Sequence, residues 1–256
     1  MKKKISANAI YNLIFPVAVI CLILIVWLIA ERTVNEEIIV PSIKTTFKEM
    51  WGLFGKKSFY ESFGYTLLRV FASFFISFVL ALGLAVLSYR FTVADGLIRP
   101  LVAVVRAVPT VAVILWFVLW LDSSFSAMLV AVLVIFPSLY GGITGALGEI
   151  DKDVIEMLTV YKVKKSRIFF KFILPVILPS LLLSAGNALS LNLKLMASAE
   201  VLNSTAKSLG EMLNASKIYY NSARLMALTV ITVVVAIVME IICRVLSKAV
   251  SRRWKK

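Results

Sequence analysis

Six stretches of the sequence, at 10–30, 62–88, 97–120, 126–147, 176–199 and 223–247, are apolar over lengths at or beyond the ~18 residues that mark a bilayer-crossing helix. A chain with that many cannot fold around a water-soluble core. Lipid satisfies no backbone polar group, so only helices or closed barrels span it, and barrel strands run only about 9–11 residues. Composition agrees, with 61% of the 256 residues apolar. The expectation is an all-α integral membrane protein with six transmembrane helices. No internal repeat or low-complexity linker interrupts it, so residues 1–256 read as one transmembrane domain.

Six crossings put both termini on one face, and charge identifies that face. There are 28 Lys plus Arg against 14 acids, a net charge of +14. In a soluble chain this would point to nucleic acid. Here the basic residues gather on one side, in Lys2 to Lys4, the 89–96 connection, the loop after 148, and Arg252, Arg253, Lys255 and Lys256. By the positive-inside rule that side is the cytoplasm, which gives a multi-pass membrane protein with cytoplasmic termini and no nucleic-acid partner. The opposite connections are near neutral, with five acids and five bases over 31–61. The first apolar stretch is long and AERTVNEE has no small-x-small pattern, so it reads as a retained span rather than a cleaved leader.

No catalytic constellation is visible. The chain has no His, which removes Ser-His-Asp and Cys-His chemistry and most zinc sites. Cys21 and Cys243 fall within spans and suggest neither a disulfide nor a metal site. No phosphate loop is present, since 52–58, GLFGKKS, has the wrong glycine spacing. The expectation is no enzyme activity, no cofactor and no metal, with any energy for transport arriving from another subunit or an ion gradient. A gradient-driven carrier would hold carboxylates in its membrane core. The spans hold only Glu200 and Glu240, both near helix ends.

A non-transporting scaffold would need no polar stripe through the bilayer, yet the fifth stretch carries one. Ser184, Asn187, Ser190, Lys194 and Ser198 fall within about one third of a helix circumference and form the candidate translocation path. Lys194 faces a cavity, snorkels to the headgroups, or pairs with an acid such as Glu200. Arg69 in the second stretch poses a similar choice between structure and ligand contact. Pro100, Pro109 and Pro137 interrupt the third and fourth helices, either as pivots or as structural bends. In 42–55, Ile43, Phe47, Met50, Trp51 and Phe54 make an apolar stripe on an outer amphipathic helix that reads as a lid packed on the spans, or else as a contact for a delivery protein.

The longest charged island, 149–179, separates the fourth and fifth spans. Val154, Ile155, Leu158 and Tyr161 recur there at helical spacing behind Asp151 and Asp153, either of which can cap the helix, and Asp153 to Glu156 has capping-box spacing. Glu156-Met157-Leu158, then Lys162, then Phe172-Ile173-Leu174-Pro175 resembles the cytoplasmic loop of ATP-binding cassette importer permeases, in which Glu-Ala-Ala, a Gly and Ile-x-Leu-Pro stand at these intervals. Glu156, Leu174 and Pro175 match, whereas Met157, Leu158, Lys162 and Phe172 do not. Lys at the Gly position would pay about 1–2 kcal/mol for a left-handed backbone, so the turn is expected to differ from the family's.

Val40-Pro41-Ser42, the run Thr66 to Ala72, Arg106-Ala107-Val108-Pro109-Thr110 with Trp116, Ala199-Glu200-Val201 and Trp254 are similar to the nitrate, sulfonate and taurine branch of those permeases, over roughly 38–254. The resemblance implies the importer-permease fold and a coupling loop at about 148–175, with Glu156, Met157, Leu158, Tyr161, Lys162, Leu174 and Pro175 meeting a separate ATP-binding cassette ATPase subunit. It further implies a homodimer in the lipid of a bacterial inner membrane that receives a sulfonate-, nitrate- or taurine-like anion from a solute-binding protein. The same branch carries heterocyclic vitamin precursors, the second substrate reading.

Overall fold

The computed structural model of the chain describes residues 7–254, and among them every regular element is helical. The Lys2 to Lys4 cluster, Lys255 and Lys256 lie outside the described residues, as do the side chains of Arg253 and Trp254. The elements are α1 (Ala7–Val34), α2 (Ile43–Phe54), α3 (Lys57–Arg90), α4 (Thr92–Ala107), α5 (Thr110–Trp120), α6 (Ser123–Gly148), α7 (Lys152–Val160), α8 (Lys165–Ile168), α9 (Leu174–Leu202), α10 (Leu209–Ile218) and α11 (Ser222–Trp254). Among the described residues five helix starts carry a side-chain cap, from Ser42, Asp122, Asp151, Ser208 and Asn221, each accepting from a backbone N–H of the first turn. Such a cap is worth about 1 kcal/mol.

Four helical segments are long and apolar enough to cross a membrane, Lys57–Arg90, Ser123–Gly148, Lys165–Leu202 and Ser222–Arg252, and a fifth crossing results if the bent pair α4 and α5 counts as one. This is a multi-pass membrane protein. The first apolar stretch lies in α1, whose Trp27 Nε1 donates to Pro41 O at 3.0 Å and whose Glu31 accepts from Ile43 N at 3.3 Å, while Val19, Ile23, Val26 and Ile29 are exposed.

The third apolar stretch, read as one helix, is two. α4 and α5 meet at an angle of 87°. Pro109 has no N–H to continue the ladder and pushes the residue before it out of the helical region, and Val108 stands at φ −69°, ψ 129°. Pro100 and Pro137 lie inside α4 and α6 without breaking them.

The fifth span also begins earlier than expected. Lys165–Leu202 is continuous over 38 residues, with a π-helical turn at Phe169–Ile173 between α8 and α9. Pro175 therefore does not close a loop. The wide turn just before it absorbs the missing N–H, as a single π turn inside an α-helix can. α10, unexpected from the sequence, packs as a short helix at the end of the bundle opposite α7.

α6 and α9 form the centre. Ile135, Leu139 and Ile143 of α6 and Leu193, Met196 and Ala199 of α9 are fully or almost fully buried. Glycines set their closest approaches, since a Cβ on Gly142 would stand 2.4 Å from Ser184 Oγ, and one on Gly186 would stand 2.5 Å from Cys243 Cβ in α11. α2 buries Leu53 and Thr46, but its expected apolar stripe is split. Met50 is half-buried against the core while Trp51 is 78% exposed. Phe47, Met50 and Phe54 instead line a wholly apolar groove of about 550 Å³ with residues of α3 and α11.

Candidate functional site

α7 is short, and its ends are defined by side chains and backbone strain. Asp151, not Asp153, is the cap, its Oδ1 accepting from Asp153 N at 2.9 Å and Val154 N at 3.4 Å. This places Asp153 in the first turn and removes the expected capping box with Glu156. At the other end Val163 N donates to Leu158 O and Lys162 N to Thr159 O, the paired bonds of a Schellman turn. That turn needs a left-handed residue, and Lys162 supplies it at φ 54°. Lys162 thus takes the left-handed backbone that a Gly would adopt without a Cβ penalty, at the cost of strain.

The apolar residues of α7 divide between two faces. Val154, Ile155 and Leu158 are half-buried toward the chain itself, with Ile155 packed on the core cluster that contains Ile150 and Ile177. Glu156, Met157, Val160 and Tyr161 are exposed, Val160 at 74% and Tyr161 at 75%. These four share one stripe at i, i+1, i+4 and i+5. Val160 was missed in the sequence although the same period marks it. Leu174 and Pro175 are half-buried within the long helix, away from this stripe. Ser180 Oγ donates to Glu149 Oε1 at 2.7 Å and so ties that helix to the end of α6.

The polar stripe of α9 is only partly gathered. Asn187, Lys194 and Ser198 are exposed along one line of the helix, Ser184 is half-buried against Gly142, and Ser190 is buried. Ser198 Oγ donates to Lys194 O. Lys194 and Ser198 border a cleft of about 490 Å³ shared with α10 and α11, whose other lining residues include Val201, Thr229 and Thr232. Among the described residues Lys194 has no ion-pair partner.

Glu200 is taken by a different cation. Its carboxylate, fully buried, accepts from Arg69 Nη1 at 3.0 Å, from Thr66 Oγ1 at 2.8 Å and from Gly210 N at 3.3 Å. Arg69 Nη2 also donates to Ser124 Oγ. This resolves Arg69 as a structural residue and excludes Glu200 as the partner of Lys194. The cluster joins α3, α6, α9 and the first turn of α10. Residues 131 positions apart make the ion pair, so no local pattern could disclose it.

Three comparisons bear on this architecture. A family model described as the inner membrane component of binding-protein-dependent transport systems matches residues 77–256. A protein described as a putative ABC transporter permease from Methanocaldococcus jannaschii is 21% identical over 208 residues, 79% of this chain and 78% of its own. Among solved structures, the MetNI methionine ABC transporter in inward-facing conformations superposes with a TM-score of 0.60 in its CY5 native crystal form and 0.61 in the CY5 SeMet soak form. Identity is 21% in both, covering 73% of this chain and 93% of that one. At that identity the likeness shows the fold.

Proposed function

The chain belongs to the family of inner membrane components of binding-protein-dependent transport systems and is the permease subunit of an ABC transporter, and from that premise we propose that it imports a small anion under the drive of a separate ATPase docked on α7. The observation that carries this reading is the exposed stripe of Glu156, Met157, Val160 and Tyr161. It is a capped helix face that no other described residue covers, at the end of the bundle where exposed Lys162, Lys164, Lys165, Arg167 and Lys171 collect. An amphipathic helix laid into a partner's groove is a common recognition mode. That basic end is the cytoplasmic one by the positive-inside rule, which supports cytoplasmic termini and six crossings with α1 as the first. Lys162 acts by holding the turn that ends the docking helix. Leu174 and Pro175 shape the helix behind it. Leu158 supports the helix from its buried side.

The translocation path is assigned to the open line of Asn187, Lys194 and Ser198, flanked by Ser184 and Ser190. A second copy of the chain would face this line across a central path within the lipid bilayer, and a solute-binding protein would deliver cargo at the α10 end. Lys194 favours a sulfonate-, nitrate- or taurine-like anion over a heterocyclic vitamin precursor. An amino acid such as the methionine named for MetNI also carries a carboxylate that Lys194 could meet.

The test is association and coupling. Glu156→Lys and Tyr161→Asp alter exposed positions, so both proteins should insert and fold yet lose co-purification with the ATPase, or lose stimulation of ATP hydrolysis by the loaded binding protein. Truncating a desolvated, hydrogen-bonded charge at an interface costs about 2–5 kcal/mol. Full uptake and normal association in both variants would remove α7 from the coupling role. Uptake that survives ATP depletion but stops when the ion gradient collapses would place the protein among gradient-driven carriers.

A further inference from the structure

Arg106 occupies the last turn of α4, just before the 87° break, and its Nη2 donates to Pro137 O at 3.2 Å. That bond fixes its depth. Pro137 lies in α6, which runs Ser123–Gly148; at 1.5 Å per residue it is roughly 21 Å of helix from one end and roughly 17 Å from the other. The guanidinium is therefore close to the bilayer midplane, with about 15 Å of hydrocarbon on either side. No side chain snorkels that far. Lys194, roughly 12 Å below the end of α9, can reach the headgroups, whereas Arg106 cannot.

A charge at this depth requires a partner. Arg69 has Glu200, but Arg106 has no carboxylate partner among the described residues. Although its Nη2 rests on α6, the residue as a whole is exposed, because the break at Val108 and Pro109 turns the chain away just beyond it. One donor is spent on Pro137 O, which holds the group in place, and the rest of the guanidinium fork is open. We infer that Arg106 is an anion-binding station of the translocation path, halfway across the membrane, that takes a compact oxyanion head such as a sulfonate, nitrate or carboxylate. A planar fork with several donors suits such a group in two-point contact. A lipid phosphate stays at headgroup level, so the anion is a solute. The contact of Gly142 with Ser184 sets the register of α6 and α9, and it places Lys194 roughly 7 Å farther toward the α10 end than Arg106. The two cations thus mark successive depths.

This inference rests on the permease reading, and its test is independent of ATPase docking. The purified permease–ATPase complex in nanodiscs is titrated with sodium methanesulfonate against sodium chloride at constant ionic strength, and thermal unfolding is followed. The wild-type complex should gain stability with methanesulfonate. Arg106→Lys, which keeps the charge, should retain part of the gain, and Arg106→Gln, which keeps a donor for Pro137 O, should weaken apparent affinity at least tenfold. A gain in Arg106→Gln equal to wild type would make Arg106 only a clamp between α4 and α6, and no gain in the wild type would also overturn the assignment. Should Arg106→Gln not fold, modification of the wild-type complex by phenylglyoxal, mapped by mass spectrometry, gives the same decision. Methanesulfonate should slow labelling of Arg106 severalfold, and absence of protection refutes the site. If the site fails while Glu156→Lys still releases the ATPase, the permease reading stands.

Discussion

Replacing Arg69 by Met should destabilise the protein more than neutralising its partner does, and the two changes together should cost less than their sum. Glu200 is fully buried and accepts from Arg69, Thr66 and Gly210 N. Without the guanidinium, a carboxylate inaccessible to water keeps only two neutral donors. Uncompensated buried charges of this kind typically cost about 3–5 kcal/mol. At about 2–4 °C per kcal/mol for a chain of this size, the melting temperature should fall by roughly 6–20 °C. Glu200→Gln leaves an amide that still accepts from Thr66 and Gly210 N, and strands a cation that keeps Ser124 and some solvent contact, with a side-chain exposure of 12%. Its cost should be smaller, about 1–3 kcal/mol. In the double variant no charge remains buried, so the melting temperature should lie at or above that of Arg69→Met alone, with a coupling energy of at least about 1 kcal/mol. The assay is thermal unfolding of detergent-solubilised protein read as the loss of the monodisperse peak. A shift under about 3 °C for Arg69→Met, or simple additivity in the double variant, would show that the pair does not carry the predicted energy.

Glycine replacements test the close approaches. A Cβ at Gly210 would lie 2.3 Å from Glu200 Cβ and 2.6 Å from its backbone carbon, so Gly210→Ala should displace α10 and lower the melting temperature, while Gly186→Ala should push α9 from α11; overpacking of this kind costs about 1–3 kcal/mol each. Lys162→Gly should relieve the left-handed strain and stabilise the end of α7 by about 0.5–1 kcal/mol, read as slower amide exchange at Val163; greater protection in Lys162→Ala than in Lys162→Gly would contradict it. In a cysteine-free background, cysteines at Lys57 and Lys165 should label from the outer and the inner face respectively, and outer labelling at 165 would overturn the proposed orientation.

Apolar length and charge sidedness made the helical, membrane-spanning character legible, because both are sums over many residues. Single backbone events were harder to read. Pro109 breaks its helix while Pro100 and Pro137 do not, since neighbouring helices decide whether a lost hydrogen bond bends the chain. Asp151 and Asp153 offered equivalent caps, and only the position of the first turn distinguishes them. In α7 the period marked an amphipathic helix, but which apolar residues face the chain depends on packing with Ile150 and Ile177. The Arg69–Glu200 pair depended wholly on tertiary placement.

The long helix from Lys165 to Leu202 carries a mechanical consequence. With 38 residues it is a strut of roughly 57 Å, beginning three residues past the turn that ends α7 and ending two residues beyond Glu200. No loop along it can absorb motion. If the ATPase docks on α7 as proposed, a thrust there would travel along this strut toward the clamp on α10, and the place for the strut to yield is the wide turn at Phe169–Ile173, where the hydrogen-bond ladder is loosest.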